Sequence, residues 1–200
     1  MLETYRTFIA IELPSDIRKR ITEHIARLRH EFPDVRASWS REENLHLTLK
    51  FLGDIAVSRI ADLSKATAEA ARSVNPFELT VGDCGTFPPQ GQPKVLWIGT
   101  TPGAQAFVKA GAQASCLHVL HEVIDDECAE AGFEREARPY HPHLTIARLR
   151  TRGGSRSLAA AHKEFGFANQ TFIASELVVF RSELRSEGSK HTIISRHEFT

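Results

Sequence analysis

Apolar and polar positions along the chain divide it into short segments of two periodicities. An apolar run over 7–13 predicts a strand, and Pro14-Ser15-Asp16 turns it into a helix with Ser15 as N-cap. Ile17, Ile21, Ile25 and Leu28 share one helical face, and Pro33 bars continuation. Alternation over 45–52 predicts a second strand, closed by Gly53-Asp54. An alanine-rich helix over 58–74 turns Ile60, Leu63 and Ala70 inward, and Phe77, Leu79 and Val81 begin another strand. The proline- and glycine-rich stretch 82–93 predicts a long hairpin loop before a strand over 94–100. The longest helix is predicted over 102–131, with Leu117, Leu120, Ile124 and Cys128 inward and Gly132 at C′. A strand over 140–149, a basic glycine-rich loop over 150–157 and a short helix over 158–165 follow. Strands over 171–184 and 191–199, joined at Glu187-Gly188, close the chain.

Strands and helices interleave in both halves, with hairpin returns as well as crossovers. That pattern predicts an α+β fold with mainly antiparallel sheets. With 42% hydrophobic and 25% charged residues, the 200-residue chain has the composition of a globular protein able to bury a substantial core. No apolar stretch reaches the roughly 18–20 residues of a membrane span. No basic segment leads into an apolar run at the start, and three scattered cysteines give no disulfide frame. A cytoplasmic protein with no membrane partner is expected. The formal net charge is +0, so any contact with nucleic acid is expected to be local rather than spread over many phosphates.

One phrase occurs twice. His46-Leu47-Thr48-Leu49 recurs as His143-Leu144-Thr145-Ile146, about half the chain apart. On a strand, residues i and i+2 share a face, so each copy aims an imidazole and a hydroxyl into one space. The duplication predicts two related lobes with the His-Thr faces turned to a groove and the helices outside. Two imidazoles can divide acid and base roles at neutral pH, and hydroxyls can donate to anionic oxygens. Such a set suits displacement at phosphorus. Arg148, three residues after Thr145, can add a guanidinium suited to phosphate.

The stretches His46-Leu-Thr-Leu-Lys-Phe-Leu-Gly53 and Arg138-Pro-Tyr-His-Pro-His143-Leu-Thr-Ile-Ala-Arg148 resemble the two signatures of the 2H phosphoesterase superfamily. The match is to its RNA 2′,3′-cyclic phosphodiesterase branch, also called 2′-5′ RNA ligase or LigT-like. The opening Phe-Ile-Ala-Ile-Glu-Leu-Pro, Gly85-Thr-Phe-Pro88, Val95-Leu-Trp-Ile-Gly99 and Glu176-Leu-Val-Val-Phe-Arg-Ser182 also resemble family landmarks. The resemblance implies a single bilobal domain over 1–200, with two pseudo-symmetric sheets around a central cleft. It implies a monomer that needs no cofactor and no metal. The implied partner is RNA ending in a 2′,3′-cyclic phosphate, tRNA fragments or nucleotides among the forms. The implied activity is hydrolysis to a 2′-phosphate, with reversible 2′-5′ RNA ligation beside it. His46 would donate a proton to the departing O3′, and His143 would accept one from water. Thr48, Thr145 and Arg148 would hold phosphate oxygens. Phe51 would stack on the terminal base, although its odd offset from His46 calls for a strand-end turn to redirect it.

Other readings stay beside this one. Lys50 shares the parity of His46 but is most simply a solvated side chain. His141 shares the parity of His143 and is either a phosphate contact or a third titrating group. The pairs His141/His143 and His118/His121 lack a carboxylate or cysteine at zinc spacing. Arg150, Arg152 and Arg156 read equally as an RNA-backbone grip and as a solvated loop. Trp39 and Trp97 read as core anchors. A module that binds RNA ends or nucleotides without turnover, and an esterase for ADP-ribose cyclic phosphate or 2′-5′ oligoadenylate, are the alternatives.

Overall fold

The computed structural model describes residues 3–102, 116–151, 153–186 and 188–200. Nine strands form two sheets, and every pairing is antiparallel among the described residues. The first sheet takes β1 (Thr4–Glu12), β3 (His46–Ala56), β8 (Glu176–Arg185) and β9 (Gly188–Glu198), in the order β3-β1-β8-β9. The second takes β2 (Ala37–Trp39), β4 (Phe77–Phe87), β5 (Val95–Pro102), β6 (His143–Leu149) and β7 (Gln170–Ala174), in the order β2-β6-β5-β4-β7. Helices α2 (Ile60–Arg72) and α3 (Cys116–Glu130) pack together over the first sheet; α1 (Ser15–Glu31) meets α4 (Ser155–Phe165) beside the second. The α+β reading therefore holds. None of these helices is long and apolar enough to cross a membrane.

The apolar periodicities find their faces. Ile17, Ile21, Ile25 and Leu28 of α1 are buried, as are Leu117, Leu120, Ile124 and Cys128 of α3. Several predicted boundaries move. β3 runs past the stop predicted at Gly53-Asp54 to Ala56, and α4 begins at Ser155, inside the loop predicted over 150–157. The loop predicted at 82–93 is mostly strand, because β4 runs on through Gly82 to Phe87 and absorbs Asp83 as a bulge with φ 63°. Pro102 ends β5 instead of opening a helix; residues 103–115 of that predicted helix lie outside the described residues. The single strand predicted over 171–184 is two, split at Ser175 between the sheets. Pro14, not Ser15, holds the α1 cap position, and no side chain bonds there. The short β2, absent from the hydrophobic pattern, pairs with β6.

Through that short strand the two motifs are joined. Trp39 pairs with Ala147, and Ser40 Oγ donates to the Thr145 carbonyl at 2.7 Å. Six residues later the chain is in β3, in the other sheet. The lead-in to the first His-Thr motif is thus fastened beside the second. Asn44 Nδ2 also donates to the Ser189 carbonyl at 2.8 Å, tying this crossing to β9. The first sheet curls, because His46 and His191 on its two edge strands bring their ring centres to 5.0 Å.

Candidate active site

The two motif strands begin on their histidines and bury alike. Over His46–Leu52 and His143–Leu149, positions one and three are half-buried, two, four and five are buried, and six is exposed. Strict alternation would not bury positions four and five together. A register shift in each strand does so. Opposite β3, Ile9 pairs with Lys50 and Ala10 with Thr48, which leaves Leu49 as an extra residue. Opposite β6, Trp97 pairs with Thr145 and Leu96 with Ala147, which leaves Ile146 extra. Each bulge reverses the parity of the residues beyond it. Phe51 and Arg148, odd-numbered steps from their histidines, consequently return to the cleft face. No strand-end turn is involved.

The same reversal drives Lys50 inward, against the expectation of a solvated side chain. It is 2% exposed and bonds to Asp125 of α3 and, at 2.9 Å, to the Glu134 carbonyl. Burial would raise the Asp125 carboxyl, but the Lys50 ammonium, the Glu136 amide and Arg135, which all bond to it, hold it below the usual range. A second tie crosses the lobes here: the Tyr140 hydroxyl donates to the Thr48 carbonyl at 3.3 Å. His121 stacks on the Tyr140 ring at 4.4 Å and His118 meets it edge-on.

His46, His143, Thr48, Thr145, Arg148 and Phe51 all line one cavity of about 850 Å³ between the sheets. Each imidazole is fastened by the carbonyl two residues earlier. His143 Nδ1 donates to the His141 carbonyl at 2.7 Å, and the Asn44 carbonyl accepts from the His46 ring. A carbonyl only accepts, so one nitrogen of each ring is committed as a donor and the other is left for a ligand. The aromatic settings differ. His46 lies over Phe8 with ring centres 4.6 Å apart and beside Phe180 at 5.6 Å. Phe8, Ala10, Val178 and Phe180 form a small apolar cluster under it, separate from the main core. His143 meets the Phe87 ring edge-on at 4.9 Å. Behind it the indole of Trp97 crosses Gly85, where a Cβ would stand 2.0 Å from the ring, so only glycine fits.

Burial lowers both imidazole pKa values, because an apolar setting disfavours the charged ring. The His46 pKa falls to about 3, with the nearby His191 adding to the effect of burial. For His143 the carbonyl bond works against the drop, while Arg148 and His141 add to it.

His141 is not in the cavity lining. It precedes β6, its ring is exposed, and its part is the carbonyl that holds His143. Of the basic loop, Arg150 lines the cavity and bonds to Ser38 at 3.0 Å, while Arg156 sits exposed on α4; Arg152 lies outside the described residues. Trp97 packs behind the site, whereas Trp39 lines it. Of the charged or titratable lining residues, four escaped the sequence reading: Arg6, Arg41, Arg185 and His191. Arg6 carried a usable signal, since it shares strand parity with Phe8. The other three reach the cleft only through the chain crossing and the curl of the first sheet. The His191 ring centre lies 5.0 Å from that of His46, edge-on, and its Nδ1 is buried without a hydrogen-bond partner among the described residues. Among the described residues, five arginines and no carboxylate line this cavity.

Known proteins share this architecture. Residues 11–97 and 108–190 match the family model described as LigT like Phosphoesterase. A Geobacillus stearothermophilus protein named RNA 2′,3′-cyclic phosphodiesterase is 28% identical over 186 residues, 93% of this chain and 55% of its own. The chain thus spans about half of that relative. A protein of the same name from Escherichia coli K12 is 28% identical over 201 residues, covering 100% of this chain and 99% of its own. The crystal structure of Thermus thermophilus TT0787 superposes with a TM-score of 0.77 at 22% identity, covering 97% of each chain. That of E. coli LigT complexed with 3′-AMP superposes with 0.72 at 24%, covering 99% of each. These two establish the fold. With the family model matched along most of its length, the chain belongs to the LigT-like phosphoesterases.

Proposed function

We propose that this chain hydrolyses RNA 2′,3′-cyclic phosphate ends to 2′-phosphates. The observation that carries the reading is the pair of bulged His-x-Thr strands opening on one cavity lined by arginines and by no described carboxylate. The names of the relatives agree with it. In the proposed reaction, water attacks phosphorus opposite O3′. The free nitrogen of His143 takes the water proton as the P–O bond forms. The P–O3′ bond breaks, and His46 gives O3′ a proton. The products are a 2′-phosphomonoester and a 3′-hydroxyl, and the two rings have exchanged protonation states. Thr48, Thr145 and Arg148 hold the non-bridging oxygens, and Phe51 offers its face to the terminal base. A 5′-hydroxyl in place of water would give a 2′–5′ linkage by the same displacement, and the reverse of that step cleaves one.

The test is incubation with an oligoribonucleotide ending in a 2′,3′-cyclic phosphate, and then identification of the product isomer. A 2′-phosphate is expected. A 3′-phosphate would make O2′ the leaving oxygen and overturn the proposed reaction. His46→Ala and His143→Ala are each expected to lower kcat by about 10²–10⁴-fold with an unchanged circular dichroism spectrum. Tight binding without product would leave only a binding module.

A further inference from the structure

A second cluster of chemistry-bearing side chains lies away from the cleft. His24 of α1, Cys84 of β4 and His162 of α4 bring one ligand atom each within 4.8 Å of one another. The three positions are far apart in sequence, and each comes from a different element. His162 is fully buried and its Nε2 donates to the Trp97 carbonyl at 3.0 Å. That bond leaves Nδ1 as a lone pair facing His24 Nε2, 2.9 Å away. The Cys84 thiol is buried and unpaired with another cysteine. Cys84 follows the Asp83 bulge, and its amide donates to the Asp83 carboxylate at 2.7 Å, which fixes the backbone that presents the sulfur.

We propose that His24, Cys84 and His162 form a binding site for one zinc-class divalent ion. The donor set is two imidazole nitrogens and one thiolate, the set a borderline-soft ion prefers. Bonds of about 2.0–2.1 Å to nitrogen and about 2.3 Å to sulfur place donor atoms roughly 3.4–3.6 Å apart around one ion. The two nitrogens must therefore part slightly and the sulfur move in, changes that side-chain rotation supplies. The carbonyl behind His162 is the outer-shell acceptor that ligating histidines use to fix their tautomer. His24 is half-buried, so a water can reach the fourth position. Binding releases the Cys84 thiol proton to solvent. The proton between the two rings moves to the other nitrogen of His24. The ion would tie α1 and α4 to β4 behind Gly85 and Phe87, which back His143. It stabilises the second sheet and takes no part in turnover.

The experiment uses the full chain, stripped with a chelator and titrated with Co²⁺. One equivalent is expected to bind, with a thiolate-to-cobalt charge-transfer band in the near ultraviolet that Zn²⁺ abolishes. Cys84→Ser should remove the band. His24→Gln, at a half-exposed position that keeps the fold, should weaken binding by more than the ~100-fold at which the loss of an outer-shell partner tops out. His143→Ala should leave the band intact, which separates this site from the cleft. Zn²⁺ should raise the Tm of the stripped wild-type chain and not that of His24→Gln. Absence of the band, its survival in Cys84→Ser, or unchanged affinity in His24→Gln would each overturn the proposal and leave a hydrogen-bonded core pair.

Discussion

Packing against Phe8 and Phe180 makes the His46 ring a poor holder of a proton in the free protein. Its pKa, lowered to about 3, leaves it neutral at pH 7, while the proposed role as acid requires it charged. An anionic phosphodiester beside the ring favours the imidazolium and repays part of the burial cost. The His46 ring resonances in NMR should therefore titrate near pH 3 in the free protein, and the midpoint should rise when inorganic phosphate fills the cleft. In addition, kcat/KM reports the free protein's groups and here needs His46 charged beside a neutral His143. Both values lie below 6.5, so the optimum of kcat/KM should fall on the acid side of 6.5 and the rate should decline toward alkaline pH. A His46 midpoint indifferent to phosphate would remove it as the acid. At this scale the histidines were legible because a duplicated phrase is visible without a fold. The His191 ring was not, because nothing in its own neighbourhood marks it; only the curl of the first sheet carries it to His46.

Along the strands, one extra residue decides which neighbour serves the cleft and which serves the core. The bulge at Leu49 sends Lys50 to Asp125 and Phe51 into the groove, although the two are adjacent. Their replacements should fail differently. Phe51 is 62% exposed, so Phe51→Ala should change stability within about 0.5 kcal/mol. It should also raise KM for an oligoribonucleotide by the loss of a stack worth about 1–3 kcal/mol. Asp125→Asn leaves the Lys50 ammonium buried among neutral oxygens, with no counter-charge among its described partners. It should cost about 3–5 kcal/mol in urea denaturation, while kcat of the folded fraction holds. Equal losses in both readouts for either variant would mean that the bulge does not separate the two roles. Period-two reasoning fails here because it assumes an unbroken ladder, and the sequence around Leu49 and Ile146 contains no glycine or proline to announce a break. The same assumption merged β7 with β8, since an apolar run looks continuous whether or not its halves join one sheet. Helix faces were read well because α1 and α3 repeat over several turns, which averages out a local irregularity.

Over the whole molecule, charge is sorted rather than scarce. Basic and acidic residues balance, 25 against 25, yet Arg6, Arg41, Arg148, Arg150 and Arg185 converge on a cavity without a described carboxylate in its lining. Many acids are engaged elsewhere, as in Arg196 bound to both Glu12 and Glu176 on the first sheet. Arg41 and Arg185 also face Glu43 and Glu183 at 3.9 and 3.4 Å, exposed pairs worth little and easily given up to a phosphate. The balance of the composition therefore hides a cationic groove, and this bounds how the chain would hold the proposed RNA substrate. Each phosphate neutralised on a single strand contributes about −0.7 to the slope of log K against log salt, so five arginines allow at most about −3.5. An oligoribonucleotide with a cyclic phosphate end should give a slope inside that bound but steeper than the corresponding mononucleotide, which offers one phosphate. Arg185→Ala should make the oligonucleotide slope shallower by about 0.7 and leave the mononucleotide slope alone. Arg148→Ala, beside the second His-Thr pair, should lower both. Equal slopes for the two ligands would mean that the outer arginines face solvent during turnover and that recognition ends at the reacting phosphate.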